Sequence, residues 1–107
     1  MHTSEERLDE RGMSKLKWRC RRGLLENDLL IAKFFQRHEA GLTVSQAQGL
    51  SDLMDLSDND LLDLLLKRRE PQQLTEASAQ ASASSSEALA VLSLLRATVT
   101  GPVTVPI

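Results

Sequence analysis

Apolar residues recur at helical spacing along successive stretches of the chain, with polar caps and helix breakers between them. Leu16 and Cys20 lie four apart after Ser14, a residue suited to a helix N-cap, and Gly23 suits the end of this short first helix. Leu24, Ile31, Phe35 and His38 then share one helical face, widened by Leu30 and Phe34, up to Gly41. This second helix is expected at the centre of the core. Glu26 and Asp28 fall in its first turn, where carboxylates meet unpaired amides and the positive end of the helix dipole.

Thr43 followed by Gln46 has the form of a capping box, and Ala47, Leu50 and Met54 supply the stripe of a third helix starting near Val44. Ser57 with Asp60 repeats the signal for a fourth helix, filled by Leu61, Leu62, Leu64, Leu65 and Leu66. Lys67, Arg68 and Arg69 suit its C-terminal dipole before Pro71 stops it. From Gln72 to Ser86 the composition shifts to Ala, Ser and Gln, which predicts a flexible linker or a frayed helix over 72–86. Ala88, Leu92, Leu95 and Val99 then predict a fifth, amphipathic helix over 87–99, and Gly101, Pro102 and Pro106 an extended tail over 100–107. Residues 1–13 lack periodicity and are read as a mobile leader, leaving 14–71 as the folded core. The expected fold is all-α, a small antiparallel bundle of four to five helices.

Composition narrows this further. A chain of 107 residues supports one domain with little interior for an enclosed active site, and aromatics at 3% with no Tyr argue against an all-β core. The net charge of -2 conceals an asymmetry: Lys15, Lys17, Arg19, Arg21 and Arg22 crowd one stretch, and Asp52, Asp55, Asp58, Asp60 and Asp63 another. The single Cys20 with His2 and His38 makes no zinc-ligand pattern and suits a reducing compartment. Glu5, Glu6, Asp9 and Glu10 argue against a secretory or transit peptide, and no apolar run approaches the ~20 residues that span a membrane. A soluble, cytoplasmic protein without a membrane partner is expected.

Candidate chemistry is sparse. A nucleophile-and-base hydrolase needs both groups held together, yet His2 falls in the leader and His38 on an apolar face, where a core histidine with a satisfied hydrogen bond is expected. Cys20 reads as a small buried hydrophobe. The glycines are isolated, with no phosphate loop, and the clustered aspartates lack the glycine and terminal glutamate of a calcium loop, so they read as a solvated acidic face. An enzyme is not expected, nor a resident metal or cofactor. The basic stretch with Trp18 offers an alternative, a small nucleic-acid-binding regulator using the first helix, although the chain is acidic overall and no second aromatic accompanies Trp18. The plainer reading is a solvated basic face with Trp18 beneath Arg22 at i+4.

The segment Arg21-Arg22-Gly23-Leu24-Leu25-Glu26-Asn27-Asp28 concentrates cations, a turn and acids in a short stretch. Guanidinium groups make bidentate bonds to carboxylates, Gly23 admits another backbone without a Cβ clash, and Glu26 can accept bonds from a partner. Arg21, Arg22, Gly23, Glu26 and Asp28 are the candidate partner-binding residues. The same residues also suit an ordinary corner between helices.

At this corner Arg22, Gly23 and Glu26 form an Arg-Gly-x-x-Glu motif, and the chain resembles the FAD assembly factors of succinate dehydrogenase. Trp18-Arg19-Cys20-Arg21 leads into the motif, Asp28 and Phe34-Phe35 follow, and Asp58 to Pro71 is similar to the family's fourth helix and proline stop. The likeness covers about residues 14–71. Leu64 stands where some relatives carry Trp, and the Ala/Ser stretch replaces a charged terminal helix. The resemblance implies an assembly chaperone for the flavoprotein subunit of succinate dehydrogenase, with the fumarate reductase flavoprotein as a further client. A histidine of that subunit becomes covalently attached to FAD, and the assembly factor contributes orientation rather than a nucleophile. It also implies that Arg22, Gly23 and Glu26 lie against the client near its flavin.

Overall fold

A computed structural model describes residues 6–21 and 23–100. Arg22, the first five residues with His2 and Glu5, and the tail from Gly101 onward lie outside the described residues. The described residues form six α-helices: α1 (Glu10–Arg19), α2 (Leu25–His38), α3 (Val44–Leu53), α4 (Asp58–Leu65), α5 (Ala77–Ala83) and α6 (Ser86–Thr100). Short 3-10 turns at Glu39–Gly41 and Pro71–Gln73 complete the order. The fold is all-α as expected, with one helix more than the upper count.

Local caps explain most boundaries. Thr43 and Gln46 make the expected reciprocal box: the Thr43 hydroxyl accepts from the Gln46 amide at 3.1 Å, and the Gln46 side chain accepts from the Thr43 amide at 3.0 Å. The Ser57 hydroxyl likewise accepts from the Asp60 amide at 3.1 Å and starts α4. The first helix differs from expectation. It begins at Glu10 because the Asp9 carboxylate accepts the Gly12 amide at 2.7 Å, leaving Ser14 exposed inside the helix. Residues just before it are also tied down: the Leu8 amide donates to the Leu42 carbonyl at 2.9 Å and the Val44 amide to the Glu6 carbonyl at 2.7 Å. The described part of the expected leader is therefore pinned to the start of α3 by an antiparallel bridge between Arg7 and Thr43.

The end of α4 is set by backbone rather than by bases on the dipole. Lys67 adopts φ 63°, its amide donates to the Leu64 carbonyl at 3.2 Å, and the Arg68 amide donates to the Asp63 carbonyl at 2.8 Å. This is a Schellman closure, with lysine where glycine is usual. Arg69 folds back onto Asp60 and Asp63, so it ties the two ends of α4 rather than projecting from its last turn.

The Ala/Ser stretch, expected as a linker or frayed helix, contains α5. Its alanines favour helix, and their small side chains let it approach the bundle closely enough to bury Ala79 and Ala83. Its surroundings are polar anchors. The Gln80 amide group donates to the carbonyls of Leu74 at 2.6 Å and Gln72 at 3.1 Å, while Ser82 and Ser85 donate to Asp55 and Asp52.

The core sits where α6 crosses α3 and packs on α2 and α4. Phe34, Leu50, Leu53, Leu61, Leu64 and Leu65 are buried there with Val91, Leu92 and Leu95. Leu64 is thus a core residue. Arg96 locks α6 to the end of α4: its guanidinium donates to the carbonyls of Leu64 at 2.7 Å and Arg69 at 3.0 Å and pairs with Glu70 at 3.0 Å. Among the described residues no helix is long and apolar enough to cross a membrane.

Candidate functional site

The corner between α1 and α2 is built from the end of one helix and the cap of the next. Cys20 closes α1 by donating its amide to the Leu16 carbonyl at 3.0 Å, and its side chain is buried as expected. Gly23 then turns the chain at φ +89°, in the left-handed region, with open space on every side of where a Cβ would stand. Leu24 caps α2 through backbone alone, its carbonyl accepting from the Asp28 amide at 3.0 Å. The turn therefore favours Gly23 for its backbone, and among the described residues beyond its chain neighbours none covers it.

The candidate residues are distributed around this turn. Arg21 is exposed, with its guanidinium 5.6 Å from the centre of the Trp18 ring. It is Arg21 that stands over Trp18, the place expected for Arg22, which lies outside the described residues. Glu26 is exposed in the first turn of α2 and forms no ion pair among the described residues. Asp28 is half-buried and lines a shallow recess with Lys17, Cys20, Arg21, Ile31 and Phe35. Arg21 and Asp28 thus share one recess, whereas Glu26 lines a separate groove along α2 and α4, and Trp18 stands 74% exposed beside Arg21.

Sequence reasoning passed over Asn27, which holds this corner in place. Its side chain is fully buried, and its amide nitrogen donates to the Asp58 carbonyl at 3.1 Å, tying the first turn of α2 to the first turn of α4. Its oxygen is buried without a partner among the described residues. The signal was available, since Asn27 precedes Ile31 by four positions on the same face. Asn27→Ala should cost roughly 2 kcal/mol, from the lost hydrogen bond and the small cavity left behind. A urea titration read by circular dichroism should show a lower midpoint at unchanged slope; an unchanged midpoint would mean that the Asp58 bond contributes nothing.

Other expectations change with the geometry. His38 packs on Phe34, ring centres 4.9 Å apart, and is held by this contact rather than by a hydrogen bond among the described residues. Burial, and after it the charge of Arg37, hold its pKa below the ordinary imidazole value. The acidic stretch is bonded rather than merely solvated: Asp55 pairs with Arg19 at 2.7 Å, and Asp52 accepts from Gln48 at 2.9 Å and from Ser85 at 2.8 Å. The basic first helix is correspondingly engaged, with Lys17 on Glu39 at 2.8 Å and Arg19 on Asp55 and the Ser51 carbonyl. Lys17 and Arg19 of the basic stretch, and Asp52 and Asp55 of the acidic one, are therefore engaged within the bundle. Among the described residues no cluster of His, Cys, Asp or Glu has the geometry to hold a metal ion.

Comparison with known proteins identifies the family. Residues 14–83 match the model of the family described as the flavinator of succinate dehydrogenase. The FAD assembly factor SdhE of Ralstonia nicotianae is 46% identical over 70 residues, covering 65% of this chain and 74% of that protein. The FAD assembly factor SdhE of Legionella pneumophila (strain Paris) is 38% identical over 66 residues, 62% of this chain and 84% of that protein. That of Aliivibrio fischeri is 32% identical over 78 residues, 73% of this chain and 84% of the relative. No solved structure matches the chain. With a helical bundle whose exposed corner carries the Gly23 turn and Glu26, and a family match covering most of its length, the chain belongs to the flavinator of succinate dehydrogenase family.

Proposed function

We propose that this protein is an assembly chaperone that binds the flavoprotein subunit of succinate dehydrogenase in the cytoplasm and promotes covalent attachment of FAD to it. Arg21, Arg22, Gly23, Glu26 and Asp28 form the contact surface, and the fumarate reductase flavoprotein is a second client. FAD is the client's cargo, and the chain contributes position rather than a reacting group. Holding a client so that its histidine and flavin meet removes the entropic part of the barrier, an effect that reaches several kcal/mol when alignment is good.

The observation that carries this reading is Gly23. It stands in the left-handed region, exposed, and apart from its chain neighbours no described residue comes within 4 Å of a Cβ position, so a partner backbone can approach the corner closely. Glu26 stands one turn further on, in the exposed first turn of α2, where a donor on the partner can reach it.

Gly23→Arg tests the proposal. The longer side chain projects from the bundle and fills the space the client would occupy, while the left-handed backbone adds a strain of about 1–2 kcal/mol. Gly23→Ala shares the strain without the bulk. In cells relying on the arginine variant, covalent flavin fluorescence on the denatured flavoprotein should fall at least ~tenfold, a loss typical of an interface centre. Thermal melting should show both variants folded with similar small losses. Undiminished flavin fluorescence with Gly23→Arg would sink the contact assignment.

A further inference from the structure

Helix α2 has a second apolar side. Its core face carries Asn27, Ile31, Phe34 and Phe35, yet Leu25 and Leu29 point outward and are 68% and 56% exposed. Leu29 opens onto a groove of about 490 Å³ between α2 and α4, where Glu26, Leu29, Lys33 and Gln36 face Leu62 and Leu66. Glu26 stands at one end of its α2 wall and Lys33 toward the other, with Gln36 beyond it. Glu26 and Lys33 stand two helical turns apart, about 10 Å along the axis. Neither forms an ion pair among the described residues, in a protein where Lys17, Arg19, Arg69 and Arg96 all do.

An apolar floor between one acid and one base, along the seam of two helices, has the form of a helix-in-groove site. We propose that this groove seats a short amphipathic helix of the flavoprotein, its apolar stripe on Leu29 and Leu62, a basic residue toward Glu26 and an acidic residue toward Lys33. The inference rests on the corner being the client-facing surface, because Glu26 belongs to both corner and groove. Continuity favours the client as occupant: from Glu26 the groove runs two turns along α2 and adds Leu29 to the exposed Leu25 and Trp18 of the corner. A second copy of the chain is disfavoured by area, since the outward apolar side offers Leu25 and Leu29, and a stable dimer buries about 800 Å² on each partner.

Leu29→Gln keeps a good helix former at an exposed position, so the bundle should fold unchanged. Titration of the purified flavoprotein subunit should show Leu29→Gln binding at least ~tenfold more weakly than the original chain, the loss expected of a central apolar anchor. A photo-reactive phenylalanine analogue at position 29 should cross-link to a client helix with charged residues flanking an apolar stripe. Gly23→Arg, whose site lies outside the groove, is titrated alongside. Wild-type affinity for Leu29→Gln beside weakened Gly23→Arg overturns the groove and leaves the corner; wild-type affinity for both overturns the two together. Weakened Leu29→Gln beside unaffected Gly23→Arg removes the corner and keeps the groove as the client site. A change in sedimentation of the isolated chain on Leu29→Gln, with client affinity intact, assigns the groove to a second copy and overturns the proposal, as does a cross-link to a client surface without such a helix.

Discussion

Ending the chain after Ser85 should abolish the cooperative thermal transition. The truncation removes α6, and with it Val91, Leu92 and Leu95, each at most 3% exposed, from the centre of the core. At ~1.5–3 kcal/mol for each large apolar side chain fully buried, the loss is roughly 5–9 kcal/mol. That is of the order of the whole stability of a domain this size, about 5–15 kcal/mol. The Arg96 clamp goes too, freeing the carbonyls of Leu64 and Arg69 that now accept its guanidinium. The expected product retains some helix in far-ultraviolet circular dichroism, binds a hydrophobic dye and melts without a sharp midpoint. A sharp midpoint within a few degrees of the full chain would show that the core closes without α6. The point matters for the family assignment, because α6 lies beyond the matched residues 14–83 yet fills the space between α2, α3 and α4. Recognition of a client can reside in the matched segment while its folding depends on the segment after it.

What could be read from the sequence depended on how local its cause was. The caps at Thr43 and Ser57 were legible because a cap needs only a hydroxyl and an amide three residues on. Ile31, Phe34 and Phe35 were legible as core because their spacing matches a helical turn. The corner was legible by residue type, since a glycine between cations and acids has few uses other than a turn, and the family resemblance rested on the same residues. The docking of α5 was not legible: alanine and serine give no periodic apolar signal, and burial of Ala79 and Ala83 follows from how closely a small-faced helix can approach. Residues 6–9 were missed because their anchors, the carbonyl of Leu42 and the amide of Val44, lie more than thirty positions away. Leu25 and Leu29 fell outside the apolar face read from the sequence, and whether they met solvent or a neighbour was settled only by where the partner helices lie, which is on the other face of α2.

Gly49 was also passed over, as an isolated glycine within a helix, and its substitution separates two opposing terms. By propensity alone, Gly49→Ala in the middle of α3 should stabilise the protein by about 1 kcal/mol. The crossing of α3 and α6 reverses this. A Cβ at position 49 would stand 2.5 Å from the carbonyl carbon of Glu87 and 3.0 Å from the amide nitrogen of Ala88, and closer still to the Glu87 carbonyl oxygen. These are backbone atoms in the first turn of α6, so no side-chain rotation relieves the overlap; the helices must separate. Separation would loosen the packing of α3 on α6, whose Leu50, Leu53, Val91 and Leu92 belong to the same core. We expect a net loss of about 3 kcal/mol, at the upper end for overpacking because the obstacle is rigid. That corresponds to a melting temperature lower by roughly 12–24 °C at ~4–8 °C per kcal/mol. A differential scanning measurement decides the sign: a melting temperature equal to or above that of the original chain would mean that α3 and α6 do not touch backbone to backbone at Gly49, and that propensity governs the position.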